Sequence, residues 1–218
     1  ASKNNVKIME GFMYAFHPQF DRIMNTIKSN ILEDISYAHS MFSFPIQPAR
    51  FYRIDRSMEN GGGALWDIGP YAIHTIRQCF EENPQRVKAI AKLNEHGADI
   101  ATSGLIDFGN SKRATFDISF ECTRRSEFEA FGALGRVKCP TVWQPDDKQA
   151  KIIINTESSG LTEEVVPAAN HFVLEINHFN KVISSDIVPK LSNEDAFWNA
   201  KTLESIEESI KKDGWVNL

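Results

Sequence analysis

Between residues 86 and 166 the sequence alternates apolar and polar residues in short runs separated by turns, which commits this stretch to a sheet. Val87, Ala89, Ala91 and Leu93 are interleaved with Lys88 and Lys92. Phe116, Ile118 and Phe120 alternate with Thr115, Asp117, Ser119 and Glu121, apolar on one face and polar on the other. Residues 102–108, 125–131, 135–142, 151–156 and 162–166 continue the series. Connections such as Gly109-Asn110-Ser111 are too short for a crossover, so neighbouring strands are expected to run antiparallel.

The flanking segments change period. Phe20, Ile23, Met24 and Ile27 predict a helix after His17-Pro18, and residues 35–44 read as a further strand. Leu65, Ile68, Ala72, Ile76 and Cys79 form one helical stripe that ends before Asn83-Pro84. Phe172, Ile176, Phe179 and Ile183 predict a helix with a buried stripe. Phe197, Ala200, Leu203, Ile206 and Ile210 predict another, capped by Ser192 or Asn193. The expected class is α+β: a large, mainly antiparallel open sheet with helices on one face.

Residues 6–14 form an almost unbroken apolar run, suited to a strand buried on both faces. Nothing before it can supply neighbouring strands. The opening Ala-Ser-Lys-Asn-Asn has neither an initiator Met nor the apolar core of a secretory signal. Either a leader has been removed or the chain starts inside a larger protein, and the orphaned apolar run points to the second.

Composition narrows the function. With 24 basic against 29 acidic residues and a net charge of −5, no basic block exists to neutralise a phosphate backbone. No stretch reaches the roughly 18–20 apolar residues that cross a bilayer. Nucleic-acid and membrane partners are thus not expected. Three cysteines without Cys-x-x-Cys spacing argue against a disulfide framework and a zinc site, and the expected compartment is a reducing cytoplasm.

The residues best placed for chemistry follow Gly61-Gly62-Gly63. On the polar side of the helix lie Asp67, Tyr71 and His74, spaced four and three apart. A carboxylate and a phenol one turn apart beside a glycine-lined hollow suit proton transfer. The ordinary alternatives are that Asp67 caps the helix and Tyr71 is a half-buried aromatic. Arg50, Arg53 and Arg56 either bind polar ligand groups or face solvent.

Gly61-Gly62-Gly63 is no dinucleotide fingerprint, since Trp66 stands where its last glycine belongs. Ala130 to Gly135 comes nearer, but a strand and not a helix follows. No cofactor is expected within these residues. His171, Glu175 and His178 share a helix face, yet the apolar stripe beside them favours a core role, and no metal is expected.

Glu10-Gly11-Phe12-Met13-Tyr14 with His17-Pro18, the segment Gly61-Gly62-Gly63-Ala64-Leu65-x-Asp67-Ile68-Gly69-x-Tyr71, then Arg77 and Asn83-Pro84 resemble one family. It is the glucose–fructose oxidoreductase, inositol dehydrogenase and MocA family, most closely its dihydrodiol dehydrogenase and glucose–fructose oxidoreductase branch. The resemblance implies a two-part enzyme that binds NAD or NADP on an amino-terminal Rossmann domain. Residues 1–14 would then be the end of that domain, 15–170 a substrate-binding and dimerisation domain, and 171–218 carboxy-terminal helices. It makes Asp67 and Tyr71 the substrate-binding carboxylate and the acid/base tyrosine. His74, Arg53, Gly62 and Gly63 are the further residues expected to touch a sugar, polyol or dihydrodiol.

The family's Glu-Lys-Pro motif, which supplies a catalytic lysine, occurs nowhere in this chain, and Ala15 stands where many relatives have arginine. The chain alone is therefore expected to be inactive, and a homodimer through the open sheet face is implied. The alternative is a sugar-sensing or regulatory protein of the same fold.

Overall fold

The computed structural model describes residues 2–4, 6–145, 149–185 and 187–218. Nine strands are described: β1 Tyr37–Ser43, β2 Arg86–Leu93, β3 Asp99–Gly109, β4 Lys112–Ser119, β5 Arg125–Phe131, β6 Gly135–Cys139, β7 Gln149–Thr156, β8 Gly160–Pro167 and the short β9 Val216–Asn217. They form one sheet in the order β8-β7-β6-β5-β1-β4-β3-β2-β9. Every neighbouring pair is antiparallel except β1 with β4, where Tyr37 pairs with Arg113 and Ser43 with Ser119. That exception follows from the connection: the chain between β1 and β4 contains helices and the β2–β3 hairpin, long enough for the crossover a parallel pair needs.

The helices are α1 Pro18–Lys28, α2 Ala64–Asp67, α3 Gly69–Phe80, α4 His171–Ser185 and α5 Asn193–Lys212. α3 lies on β1, β4 and β5, α5 on β2, and α1 on β6, β7 and β8. Strand side chains facing these helices are buried, among them Ala38, Phe42, Ile106, Ile118 and Phe128. The opposite face carries cross-strand charge pairs, including Arg86 with Asp107 and Lys138 with Glu127, and exposes Ile90. Among the described residues no helix is long and apolar enough to cross a membrane.

Caps set two helix starts. The His17 side chain accepts from the Gln19 N–H, with Pro18 as first helical residue, and Ser192 accepts from the Asp195 N–H. The single stripe from Leu65 to Cys79 is broken at Ile68, which ends α2 and precedes α3. Pro70 explains the break, because it has no N–H to continue the α2 ladder.

Two expectations fail. Residues 6–14 form no strand: residues 6–12 lie in neither helix nor strand, and Met13–Phe16 is a 3-10 turn. A strand needs a hydrogen-bonding neighbour, and among the described residues no strand pairs with this run. Phe12, Tyr14, Ala15 and Phe16 are buried, whereas Val6 and Ile8 are each 56% exposed. The apolar stripe of α4 is likewise not buried, since Phe172, Ile176 and Ile183 are each more than half exposed. Its one fully buried side chain is Val182. Periodicity located this helix but could not say what covers its apolar side.

Asp99 ties the sheet to the glycine turn. Its Oδ2 accepts the Leu65 N–H (2.9 Å), an amide that opens α2, and the Thr102 hydroxyl (2.7 Å). Burial pushes its carboxyl up to about 6, although both hydrogen bonds pull the other way. Because the folded value exceeds the unfolded one, the folded chain holds more protons between roughly pH 4 and 6. Asp99 thus favours folding most at low pH and loses that contribution as pH rises through about 6. Relative to Asp99→Asn, the parent chain is expected to lose on the order of 2–3 kcal/mol between pH 4.5 and 7.5. Urea midpoints of the two proteins at those pH values check this, and a constant gap would show that Asp99 does not titrate with folding.

Candidate functional site

Asp67 closes α2 and Tyr71 sits in the first turn of α3, so the break at Ile68 brings both to the mouth of one cavity of about 370 Å³. Phe42 and Phe44 from β1 and its extension, Trp143, and Phe172 at the start of α4 give it aromatic walls. Arg50, Arg53, Gln144 and His171 supply its polar groups. Flat apolar walls with a few convergent polar groups suit a small ring-shaped molecule bearing hydroxyls.

Asp67 is not a cap. The residues preceding α2 and α3 are Gly63 and Ile68, and neither helix start has a side-chain cap. Its carboxylate pairs with the Arg53 guanidinium instead. Arg53 Nε is buried with no hydrogen-bond partner. Arg50 also lines the cavity. Arg56 turns away, pairing with Asp55 and donating to the Tyr52 carbonyl.

The Tyr71 phenol is pushed above its ordinary value by burial first, then by the Glu175 carboxylate, against the opposing pull of Arg53. It therefore carries its proton at neutral pH. One Glu175 oxygen is buried without a hydrogen-bond partner, and burial raises that carboxyl as well.

Three expected ligand contacts fall elsewhere. His74 is fully buried behind the cavity, where its Nδ1 lies 2.5 Å from the Tyr14 hydroxyl. Its Nε2 lies 2.9 Å from Asp195 Oδ2, at ion-pair distance although not aligned as a full hydrogen bond. Tyr71 and His74 share α3, and three residues along it the helix has turned far enough to carry His74 from the cavity edge into the core. Gly62 and Gly63 are buried too, and their lack of side chains serves the chain's own packing. A Cβ on Gly62 would stand 2.8 Å from the Arg56 carbonyl carbon, and one on Gly63 2.8 Å from the Asp99 nitrogen. Gly63 N–H donates to the Arg53 carbonyl (2.7 Å), which anchors the arginine beside Asp67.

Sequence reasoning missed Trp143, Phe42 and Phe44, which come from distant segments and carry no local signal beyond being aromatic. It also missed Tyr14, whose phenol is buried, hydrogen-bonded to Thr75 (2.8 Å) and driven far above its ordinary value by that burial. His171 reaches the cavity as a wall residue.

No cradle for a dinucleotide is found among the described residues. The turn between β5 and β6 is a hairpin, and the glycine turn at residues 61–63 is filled by Arg56 and Asp99.

The family model for the GFO/IDH/MocA C-terminal domain matches residues 20–138. D-xylose 1-dehydrogenase (NADP(+)) 2 of Haloferax volcanii is 25% identical over 215 residues, covering 98% of this chain and 65% of that protein. Trans-1,2-dihydrobenzene-1,2-diol dehydrogenase of Xenopus tropicalis is 28% identical over 159 residues, covering 71% of this chain and 46% of its own length. A 3-ketoreductase from Actinomadura kijaniata, crystallised with NADP and TDP-benzene, shares the fold with a TM-score of 0.86 at 22% identity, covering 96% of this chain and 64% of that one. The chain thus spans less than two thirds of each. With the cavity, the sheet and the matched segment in agreement, this chain belongs to the GFO/IDH/MocA family of oxidoreductases, of which it contains the carboxy-terminal domain.

Proposed function

We propose that this chain is the substrate-binding part of a longer NAD(P)-dependent oxidoreductase acting on a CH–OH group of a sugar, polyol or dihydrodiol. The observation that carries the reading is that Asp67 and Tyr71, on either side of the break at Ile68, open on the same aromatic-walled cavity. Relatives named for xylose and for dihydrobenzenediol oxidation support the substrate class.

In this reading residues 1–14 end a dinucleotide-binding domain, 15–170 form the substrate-binding domain and 171–218 the closing helices. The half-exposed apolar side of α4 and the uncovered Val6 and Ile8 are where the rest of the enzyme packs. Aromatic faces hold the apolar face of the substrate ring, and Asp67, steadied by Arg53, accepts from its hydroxyls. Tyr71 gives its proton to the substrate oxygen in reduction and recovers it in oxidation. The second direction requires a cation to lower the phenol's pKa, supplied by a lysine outside these residues. A sensor has no use for such a proton-handling pair. Two copies are proposed to meet across the open sheet face, where Ile90 and the charge ladders lie.

The test is to titrate NADH and NADPH against the 218-residue chain alone, and to assay the longer enzyme for nucleotide reduction with sugars, polyols and dihydrodiols. The isolated chain is expected to show no micromolar nucleotide binding, and the longer enzyme to turn over at least one class. Micromolar binding by the isolated chain, or an inert longer protein, would overturn the reading.

A further inference from the structure

We propose that Tyr14, His74, Thr75 and Asp195 form a relay of positioning residues that fixes the Trp143 wall and the Tyr71 backbone of the cavity. The inference rests on that cavity being the substrate site.

The relay begins away from the cavity, on α5. Asp195 is held there by Arg77 Nη1 (2.7 Å) and Gln78 Nε2 (3.0 Å), and its other oxygen faces His74 Nε2. His74 Nδ1 meets the Tyr14 hydroxyl, and that hydroxyl meets Thr75 Oγ1. Thr75 Oγ1 receives the Trp143 indole N–H (2.9 Å) and lies 2.9 Å from the Tyr71 carbonyl. One consistent set of donors runs through it. The imidazole turns its Nε2–H toward the Asp195 carboxylate and accepts from the Tyr14 hydroxyl at Nδ1, while Thr75 shares its single proton between the Tyr14 oxygen and the Tyr71 carbonyl.

None of Tyr14, His74 or Thr75 lines the cavity, yet the far end of the relay consists of two residues that do. Trp143 has one donor, and it lies flat on Phe42 with centroids 4.8 Å apart and planes at 21°. Stacking alone leaves the indole free to turn in its plane, and the Thr75 oxygen selects one orientation. Burying a phenol, an imidazole and a hydroxyl in a core where apolar side chains would pack as well is costly, and the hydrogen bonds that join them from His74 to Trp143 offset that cost and favour one arrangement.

The test uses the indole N–H signals of the four tryptophans in the 218-residue chain, with Trp143 identified by Trp143→Phe. Thr75→Val removes the acceptor at nearly constant shape. The Trp143 signal should move well beyond its linewidth while the other three stay, and Thr75→Ser should restore it. In the longer enzyme, Thr75→Val and Tyr14→Phe should each raise KM about tenfold with kcat within about threefold, the pattern of lost uniform binding. Thr75→Ser should keep the parent KM.

An unmoved Trp143 signal overturns the proposal, as does a moved signal with unchanged KM. If all four signals collapse in Thr75→Val, the fold has been lost and Tyr14→Phe decides on the same readouts. An inert unsubstituted enzyme sinks the oxidoreductase reading instead, and the indole signal then still decides whether the relay holds the wall.

Discussion

Replacing Tyr71 with phenylalanine is expected to lower turnover of the longer enzyme by about 10²–10⁴, the usual worth of a positioned general acid or base. That corresponds to about 3–5 kcal/mol of transition-state stabilisation. The change removes one oxygen and nothing else. The Tyr71 contacts that matter to the fold are its carbonyl, bonded by Thr75, and its ring, packed against Phe12 and Phe42. Phenylalanine keeps both, so unfolding midpoints should barely change. Nucleotide affinity should hold as well, because no dinucleotide cradle lies among the described residues. The phenol's raised pKa adds a directional signature: carbonyl reduction, which needs the proton, should hold its rate through neutral pH. Alcohol oxidation should speed up as pH rises. Steady-state kinetics of both directions check this. Turnover within a factor of two of the parent across the pH range, with the fold intact, would make Tyr71 structural.

Most strands were legible because alternation and turn length are local properties, and β5 falls on residues 125–131 as read. The position of β1 was not. Its place between β4 and β5, parallel to one and antiparallel to the other, depends on tertiary packing that periodicity does not encode. The same limit explains α4. An amphipathic pattern guarantees an apolar face but not what covers it, and Phe172 and Ile176 remain half exposed. Asp67 and Tyr71, singled out by their spacing, line one cavity. His74 was misplaced because spacing shows which residues share a helix side but not where that side passes from cavity edge to core, and on α3 it does so between Tyr71 and His74. Trp143 reaches the site from another segment, and nothing beside it announces that; Tyr14 lies behind the cavity, where its contacts depend on tertiary packing.

The glycine turn was correctly singled out, but for a ligand, when its work is to let two backbones meet. Gly63→Ala is therefore expected to destabilise the chain by about 3–5 kcal/mol, a large part of the 5–15 kcal/mol that holds a typical domain together. Gly63 has φ of 98° and ψ of 175°, a region essentially closed to other residues and costing about 1–3 kcal/mol to occupy. An added Cβ would also press into the Asp99 carboxylate and stand 2.8 Å from its nitrogen. Backbone nitrogen in β3 cannot swing aside as a flexible side chain can, so either the Asp99–Leu65 bond breaks or the turn opens. Opening it releases the Gly63 bond to the Arg53 carbonyl, and with it the arginine that steadies Asp67. Gly61→Ala is the control: φ is 75° there, but no atom lies within 4 Å of the added carbon, so about 1–2 kcal/mol is expected. Urea unfolding of both variants separates the contributions. Equal losses would mean that backbone angle alone matters, and a loss below 1 kcal/mol in Gly63→Ala would show that the turn and β3 do not pack as described.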